Sequence, residues 1–310
     1  MTLAITVTLA AGQVGPDQTI TQSGKPEATS LMGKPLYPAP PSAQARKALE
    51  ENLDKAKAVH ARDPSDADAI IWLGRRTAYL GRYREAIEIF SGGIKAHPRD
   101  ARMYRHRGHR HITVREFDKA VADFSKAADL VAGKPDQIEP DGQPNARNTP
   151  TSTLNSNIYY HLALAHYLSG HFDKAAEAYR QCLIFSKNAD MLAATTHWLY
   201  MTLRRMNQNE EAAKVLAPIT SDMDIIENGS YHKLLMVYKG EATADALMAS
   251  VAQGGLDTVT IGYGVANWHL YNGRQDQAIA LFRDVVEKNA TQWAAFGYVA
   301  AEADLARLTR

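Results

Sequence analysis

Apolar residues recur along most of the chain at the spacing of one helix face, and the helices they predict come in pairs. Leu49, Leu53 and Ala56 stand at i, i+4 and i+7 behind Ser42, which predicts a capped helix to about Ala61. Beyond it, two blocks carry the same residue types at a fixed offset of 34. Leu73-Gly74, Gly81-x-Tyr83, Ala86, Phe90 and Pro98 recur as Arg107-Gly108, Arg115-x-Phe117, Ala120, Phe124 and Ala132. Packing accounts for the pattern. A small residue on the first helix of each pair (Gly74, Gly108) is expected to face a small residue on the second (Ala86, Ala120), so that the backbones approach closely. Aromatics at the turn and four residues past the alanine then fill the gap to the next pair. One such hairpin cannot bury its apolar face alone, so copies must stack into an elongated array.

The same pattern continues. Tyr159, Leu162-Ala163, Gly170-x-Phe172, Ala175 and Tyr179 place a third hairpin, and Leu199, Asn207, Ala212 and Leu216 a fourth, with asparagine at a turn that calls for positive φ. Ala212 and Ala278 lie 66 residues apart, close to two periods, which predicts a degenerate hairpin on Tyr231–Tyr238 and Thr243–Val251 with its turn at Lys239-Gly240. Ala266, Gly273, Ala278 and Phe282 carry the last hairpin, and a final helix from Thr291 to Leu308 is expected to cap the end. Ala120 and Ala175 lie 55 residues apart, one period of 34 plus an insertion of 21, and Gly133–Thr153 has the Pro, Gly, Asn and Asp content of a loop.

The 34-residue blocks resemble the tetratricopeptide repeat, a helix-turn-helix unit. The resemblance implies an all-α fold: a right-handed α-solenoid of about five to six hairpins plus capping helices, spanning residues 42–310 with a loop insertion at 133–153. It also implies a concave groove that binds other chains. In that family the groove positions are the second, fifth, sixth, ninth and twelfth to thirteenth of each unit. Here they are Arg75 and Tyr79 from the first repeat, Arg102, Arg105, His106 and His109 from the second, and Asn157, Tyr160 and His161 from the third. The first helix of the second repeat, ARMYRHRGHRHIT, holds four arginines, three histidines and no acid. Guanidiniums offer planar forks that grip carboxylates, so the groove is expected to take an extended or acidic peptide. Because the histidines titrate near pH 6.5, such binding is expected to strengthen as pH falls from about 8 to 6.

Trp198-Leu199-Tyr200, Glu211–Leu216, Tyr238-x-Gly240, Leu247-Met248 and Ala278-x-x-Leu281-Phe282 follow one another in a way that resembles the NlpI-type envelope lipoproteins. That resemblance, over residues 195 to 308, implies a periplasm-facing homodimeric adaptor. No cysteine stands near the amino terminus, so lipid anchoring does not carry over. Thr2–Ala11 is a short uncharged apolar stretch ending at Ala10-Ala11-Gly12, as a signal segment would, although the basic start is missing. Residues 15–41 then have the composition of a disordered leader. An exported adaptor is therefore the leading expectation, with a cytoplasmic scaffold or chaperone cofactor as the alternative. The lysine-asparagine clamp of the chaperone-binding type is not reproduced.

A net charge of +1 gives no general attraction to nucleic acid. No apolar run approaches the 18 or so residues that cross a bilayer. A single cysteine, Cys182, excludes an intrachain disulfide and falls in a packing slot. His106 and His109 lie about 60° apart on a helix, but His111 lies about 140° from His106, so one helix cannot aim all three at an ion. No nucleophile elbow, P-loop or dinucleotide fingerprint occurs. The chain is expected to be non-enzymatic, with no cofactor and no metal.

Overall fold

A computed structural model describes residues 24–251 and 254–309. The apolar stretch Thr2–Ala11 lies outside the described residues. The fold is an all-α solenoid: α1 (Ala43–Arg62) is followed by six hairpins and a last helix. The hairpins are α2 (Ala67–Tyr79) with α3 (Tyr83–Ala96), α4 (Ala101–Thr113) with α5 (Phe117–Val131), and α6 (Leu154–Leu168) with α7 (Phe172–Phe185). They continue as α8 (Ala189–Arg205) with α9 (Asn209–Val215), α10 (Gly229–Lys239) with α11 (Ala244–Ala249), and α12 (Leu256–Tyr271) with α13 (Gln275–Lys288). Each second helix through α7 packs on the first helix of the next hairpin. Side chains of Ser42, Asp66, Asp100, Thr153, Asn188 and Thr243 accept from the first turns of the helices that they cap.

The turns lie where the sequence spacing predicts them. Gly81, Gly170, Gly240 and Gly273 have φ near +80°, and Arg115 and Asn207 hold the equivalent turns at +67° and +59°. The close approach inside each hairpin differs from the expectation in one respect. Ala86 and Ala120 are fully buried, but the space left by Gly74 and Gly108 is filled by Phe90 and Phe124. A Cβ added to Gly74 would stand 2.5 Å from the Phe90 ring, and one on Gly108 would stand 2.9 Å from Phe124. The small residue therefore makes room for the aromatic of its partner helix. Cys182 is fully buried, as its slot predicts, and burial pushes its thiol up to about 11.

Two segments depart from the expected picture. The last helix, α14 (Phe296–Leu308), does more than cap the last hairpin, because it also reaches back to α6. It is buried from Gly297 to Ala306 and packs on α6, α12 and α13. It therefore covers both helices of the last hairpin and touches one earlier first helix, α6. Its Glu302 carboxylate takes the Arg115 guanidinium at 2.8 Å, and its Asp304 takes Arg205 at 2.9 Å and the Tyr263 hydroxyl at 3.0 Å. Arg115 also donates to the carbonyls of Thr113 and Trp293. These bonds explain why an arginine occupies a left-handed turn position that disfavours side chains.

The leader is the second departure, because residues 24–41 are ordered. Strands β1 (Ala28–Thr29) and β2 (Pro35–Leu36) pair antiparallel about Gly33, and Ala28 and Leu36 are buried. The Leu31 amide donates to Glu302 at 2.6 Å, and the Trp293 indole donates to the Tyr37 carbonyl at 2.6 Å. The segment has too little apolar surface to fold alone; α14 and the residues before it supply the missing partners.

Among the core polar groups, His197 is fully buried, and neither of its ring nitrogens is hydrogen-bonded among the described residues. It stacks on Tyr231 at 4.7 Å and Tyr238 at 5.7 Å, and burial holds its pKa at about 3. Between about pH 6.5 and 3 the unfolded chain binds a proton that the folded chain refuses. The stability due to this group is therefore present above pH 6.5 and is lost as pH falls, by about 1.4 kcal/mol per unit. Urea unfolding at pH 7 and pH 5 should show His197→Phe at least as stable as the native chain at pH 7 and less weakened at pH 5. Equal losses in the two proteins would contradict this.

Candidate functional site

The basic face of α4 meets α2 on one side, α6 on the other and the insertion above. The insertion has no helix, and an antiparallel bridge between Ile138 and Thr153 pinches its base. From there it runs across the helices. Arg75 donates to the Pro140 carbonyl and Arg76 to the Gly142 carbonyl, both at 2.8 Å. At Gly142 a Cβ would collide with the Tyr79 hydroxyl and the Arg75 head, so a larger residue would have to push these side chains aside. The far limb is tied down by Arg147 to Asp224 at 2.7 Å, and by Asn145 and Thr151 to Glu227 at 2.9 and 2.6 Å.

Glu139 is the centre of this contact. Its carboxylate lies 3.0 Å from Arg105 Nε and 3.7 Å from His106 Nε2, and accepts from Asn157 at 3.2 Å. Arg105 and Glu139 are both nine-tenths buried as side chains. The Arg105 Nε–H is nonetheless misaligned and makes no hydrogen bond among the described residues. Beneath the strap remains a cavity of about 360 Å³.

Six of the nine residues expected in the groove line this cavity: Arg75, Tyr79, Arg105, His106, His109 and Asn157. Three do not. Arg102 turns outward to Asp100 and Asp68, both at 2.6 Å, because two acids at neighbouring helix starts outcompete the groove. Tyr160 and His161 are buried beneath the cavity floor. The His161 ring is enclosed by His109 at 4.7 Å, Phe296 at 5.5 Å and Phe124 at 5.6 Å, and its Nδ1 meets the Asn157 carbonyl. Sequence reasoning missed Glu139, Arg76 and Arg110. The composition of the basic helix pointed at Arg110, whereas nothing local marked Glu139 inside a polar loop.

Electrostatics correct the expected histidine chemistry. Burial, followed by the Arg105 charge, holds His106 well below its ordinary pKa, and burial with Arg110 does the same for His109. His161 is brought to about 3 by burial and then Arg105. With the strap seated these rings are therefore neutral between pH 6 and 8, so lowering the pH over that range adds no positive charge to the groove. Among the described residues no three His, Cys, Asp or Glu side chains are grouped to hold a metal, and no helix is long and apolar enough to cross a membrane.

Residues 156–189, covering α6 and α7, match the tetratricopeptide repeat family model. No curated protein sequence matches the chain significantly. Solved structures with a similar chain path include a tetratricopeptide repeat protein from Parabacteroides merdae, at 11% identity and TM-score 0.47, covering 82% of this chain and 94% of that one. Pseudomonas aeruginosa pilF aligns at 14% identity and TM-score 0.45, covering 78% and 85%. YrrB, a TPR protein with an unusual peptide-binding site, aligns at 12% and 0.43, covering 77% and 95%. At such identities and scores nothing about ligand or partner transfers. The family match lies outside residues 195 to 308, so the lipoprotein resemblance of that half gains nothing from it.

Glu139→Ala leaves the buried Arg105 guanidinium without its carboxylate, at an expected cost of about 1 to 3 kcal/mol. Thermal unfolding should show a clear drop for Glu139→Ala and a smaller one for Glu139→Gln, which keeps the shape. An unchanged midpoint in both would mean that Glu139 does not sit on Arg105.

Proposed function

We propose that this chain, a tetratricopeptide repeat protein, is an interaction scaffold that receives an extended acidic segment of a partner in the groove of α2, α4 and α6. The observation that carries this reading is the strap itself. Ile138-Glu139-Pro140-Asp141-Gly142 crosses the groove with its carboxylate on Arg105 and its carbonyls on Arg75 and Arg76. A foreign peptide of the same character would use the same donors: guanidiniums for a side-chain carboxylate and for main-chain carbonyls, with Asn157 as a further donor. Arg102, Tyr160 and His161 take no part in this version of the site.

The resident strap sets the terms of binding. An incoming segment must displace it, so apparent affinity is lowered by the fraction of chains in which the groove is open. Such a scaffold suits a partner held at high local concentration, and we place it in the cell envelope on the strength of the apolar stretch Thr2–Ala11. Fractionation of the native organism tests the location.

Binding is tested with a synthetic peptide copying residues 136–143. It is titrated against the native chain and a variant whose residues 138–150 are replaced by glycine and serine at equal length. The variant should bind at least tenfold more tightly than the native chain, and a peptide with alanine in place of the glutamate should bind at least tenfold more weakly. For the native chain affinity should be flat from pH 6 to 8, because the groove histidines are neutral when strap or peptide covers them. Absence of binding to the strap-replaced variant would overturn the proposal.

A further inference from the structure

The strap shows the path that an extended chain takes over the basic face, and the place where it leaves that path. From Glu139 on Arg105 of α4 to the Gly142 carbonyl on Arg76 of α2 is a step of three residues. An extended chain advances about 3.3 Å per residue, so this step covers the roughly 8 to 10 Å between packed neighbouring helices. The next helix in line is α1, which packs on α2. The strap does not go on to it. The Asp141 carboxylate accepts from the Gln143 amide at 3.0 Å and turns the chain, and Asn145 is already bonded to Glu227 before α10.

Past that turning point the groove continues. A slot of about 300 Å³ opens between α1 and α2, with Ala56 and Val59 on one wall and Ala69, Trp72 and Arg76 on the other. Ala69, Trp72 and Arg76 stand at i, i+3 and i+7 on one face of α2, and Arg76 is the side chain that holds Gly142. The slot is therefore continuous with the seat of the strap, yet among the described residues no part of the strap lines it. Its chemistry differs from that of the groove. Val59 is one of the few large apolar side chains left exposed, and Trp72 is half-buried, with the Arg75 and Arg76 heads 4.4 and 4.9 Å from its ring centre. The acids on the wall are engaged: Asp66 accepts from the Ala69 amide and Asp68 from Arg102. Lys55 is the remaining charge there, and it opposes a basic side chain.

We propose that the slot between α1 and α2 is a second subsite of the groove and takes a large apolar side chain of the same partner segment, two or three residues beyond the position of Gly142. The proposal rests on the peptide reading and adds the contact by which a partner outcompetes the strap. The strap is joined to its groove by the chain and so acts at high effective concentration. A foreign segment that makes only the strap's own contacts loses to it. At the positions that would reach the slot the strap carries Pro144 and Asn145, which bring no large apolar side chain. A partner with one there buries surface that the strap leaves open. The segment that fits has an acidic residue for Arg105 and, about five or six residues later, an aromatic or large aliphatic residue for the slot.

Three peptides test this: a copy of residues 136–146, and the same copy with Pro144→Phe or with Asn145→Phe. Each is titrated by calorimetry against the variant whose residues 138–150 are replaced by glycine and serine. At least one phenylalanine peptide should bind about fivefold or more tightly than the unaltered copy. Val59→Glu, added to that variant at an exposed position, places a charge in the slot and should bring the three peptides to equal affinity. Equal affinities without Val59→Glu, or a gain that survives it, would overturn the subsite and leave the peptide reading standing. Absence of binding by all three peptides would instead overturn the peptide reading, and the subsite with it.

Discussion

Two carboxylates on one helix determine how the solenoid is closed. Glu302 and Asp304 are both fully buried, and a buried charge without partners costs several kcal/mol. Glu302 is satisfied by Arg115 from the turn of the second hairpin and by the Leu31 amide of the leader. Asp304 is satisfied by Arg205 of α8, Tyr263 of α12 and Arg307 of its own helix. Burial alone would raise the Asp304 carboxyl, yet Arg205 and Arg307 hold it below its usual range. The partners come from four separate parts of the chain, so α14 can meet both demands in only one position. The leader hairpin, the left-handed backbone at Arg115 and the seat of Trp293 all depend on that position.

Closure of this kind decides what is left for recognition. The first helices of the hairpins line an inner face, and here α14 takes up part of it, packing on α6 and α12 and bonding to Arg205 of α8. The basic stretch over α2 and α4 remains, and the insertion lies across it through Glu139, Pro140 and Gly142. The two coverings differ in strength. α14 is apolar over most of its length and carries two fully paired charges. The strap is polar, largely exposed away from Glu139, and held by hydrogen bonds and two ion pairs, of which the Arg147–Asp224 pair is exposed. The difference in buried apolar surface is why the proposed displacement involves the strap and not α14.

The hairpin array was legible in the sequence because its packing is local: a 34-residue period and a turn residue at positive φ repeat in register. Even the degenerate pair was placed from spacing, with Gly240 at φ +78° closing α10 as expected. Contacts across long separations were not legible. Nothing near Arg115 says that it replaces a turn glycine in order to reach Glu302, 187 residues away. Composition called residues 15–41 disordered because it counts only the apolar surface that the segment itself brings. The groove was legible as a set of positions, and six of nine do meet. Arg102 was lost to two acids at helix starts, and the histidines were misjudged because burial was not foreseen. The carboxylate expected from a partner is instead supplied by Glu139 of the same chain.

The account's central claim is that the inner face is filled by two segments of the chain itself, one permanently and one reversibly. Amide hydrogen exchange of the native protein tests it in a single measurement. Amides of α14 from Val299 to Leu305 should exchange as slowly as those in the middle of α6 and α8, while amides of residues 138–150 exchange orders of magnitude faster. Exchange of α14 at the rate of the strap, or of a frayed terminal helix, would contradict the account.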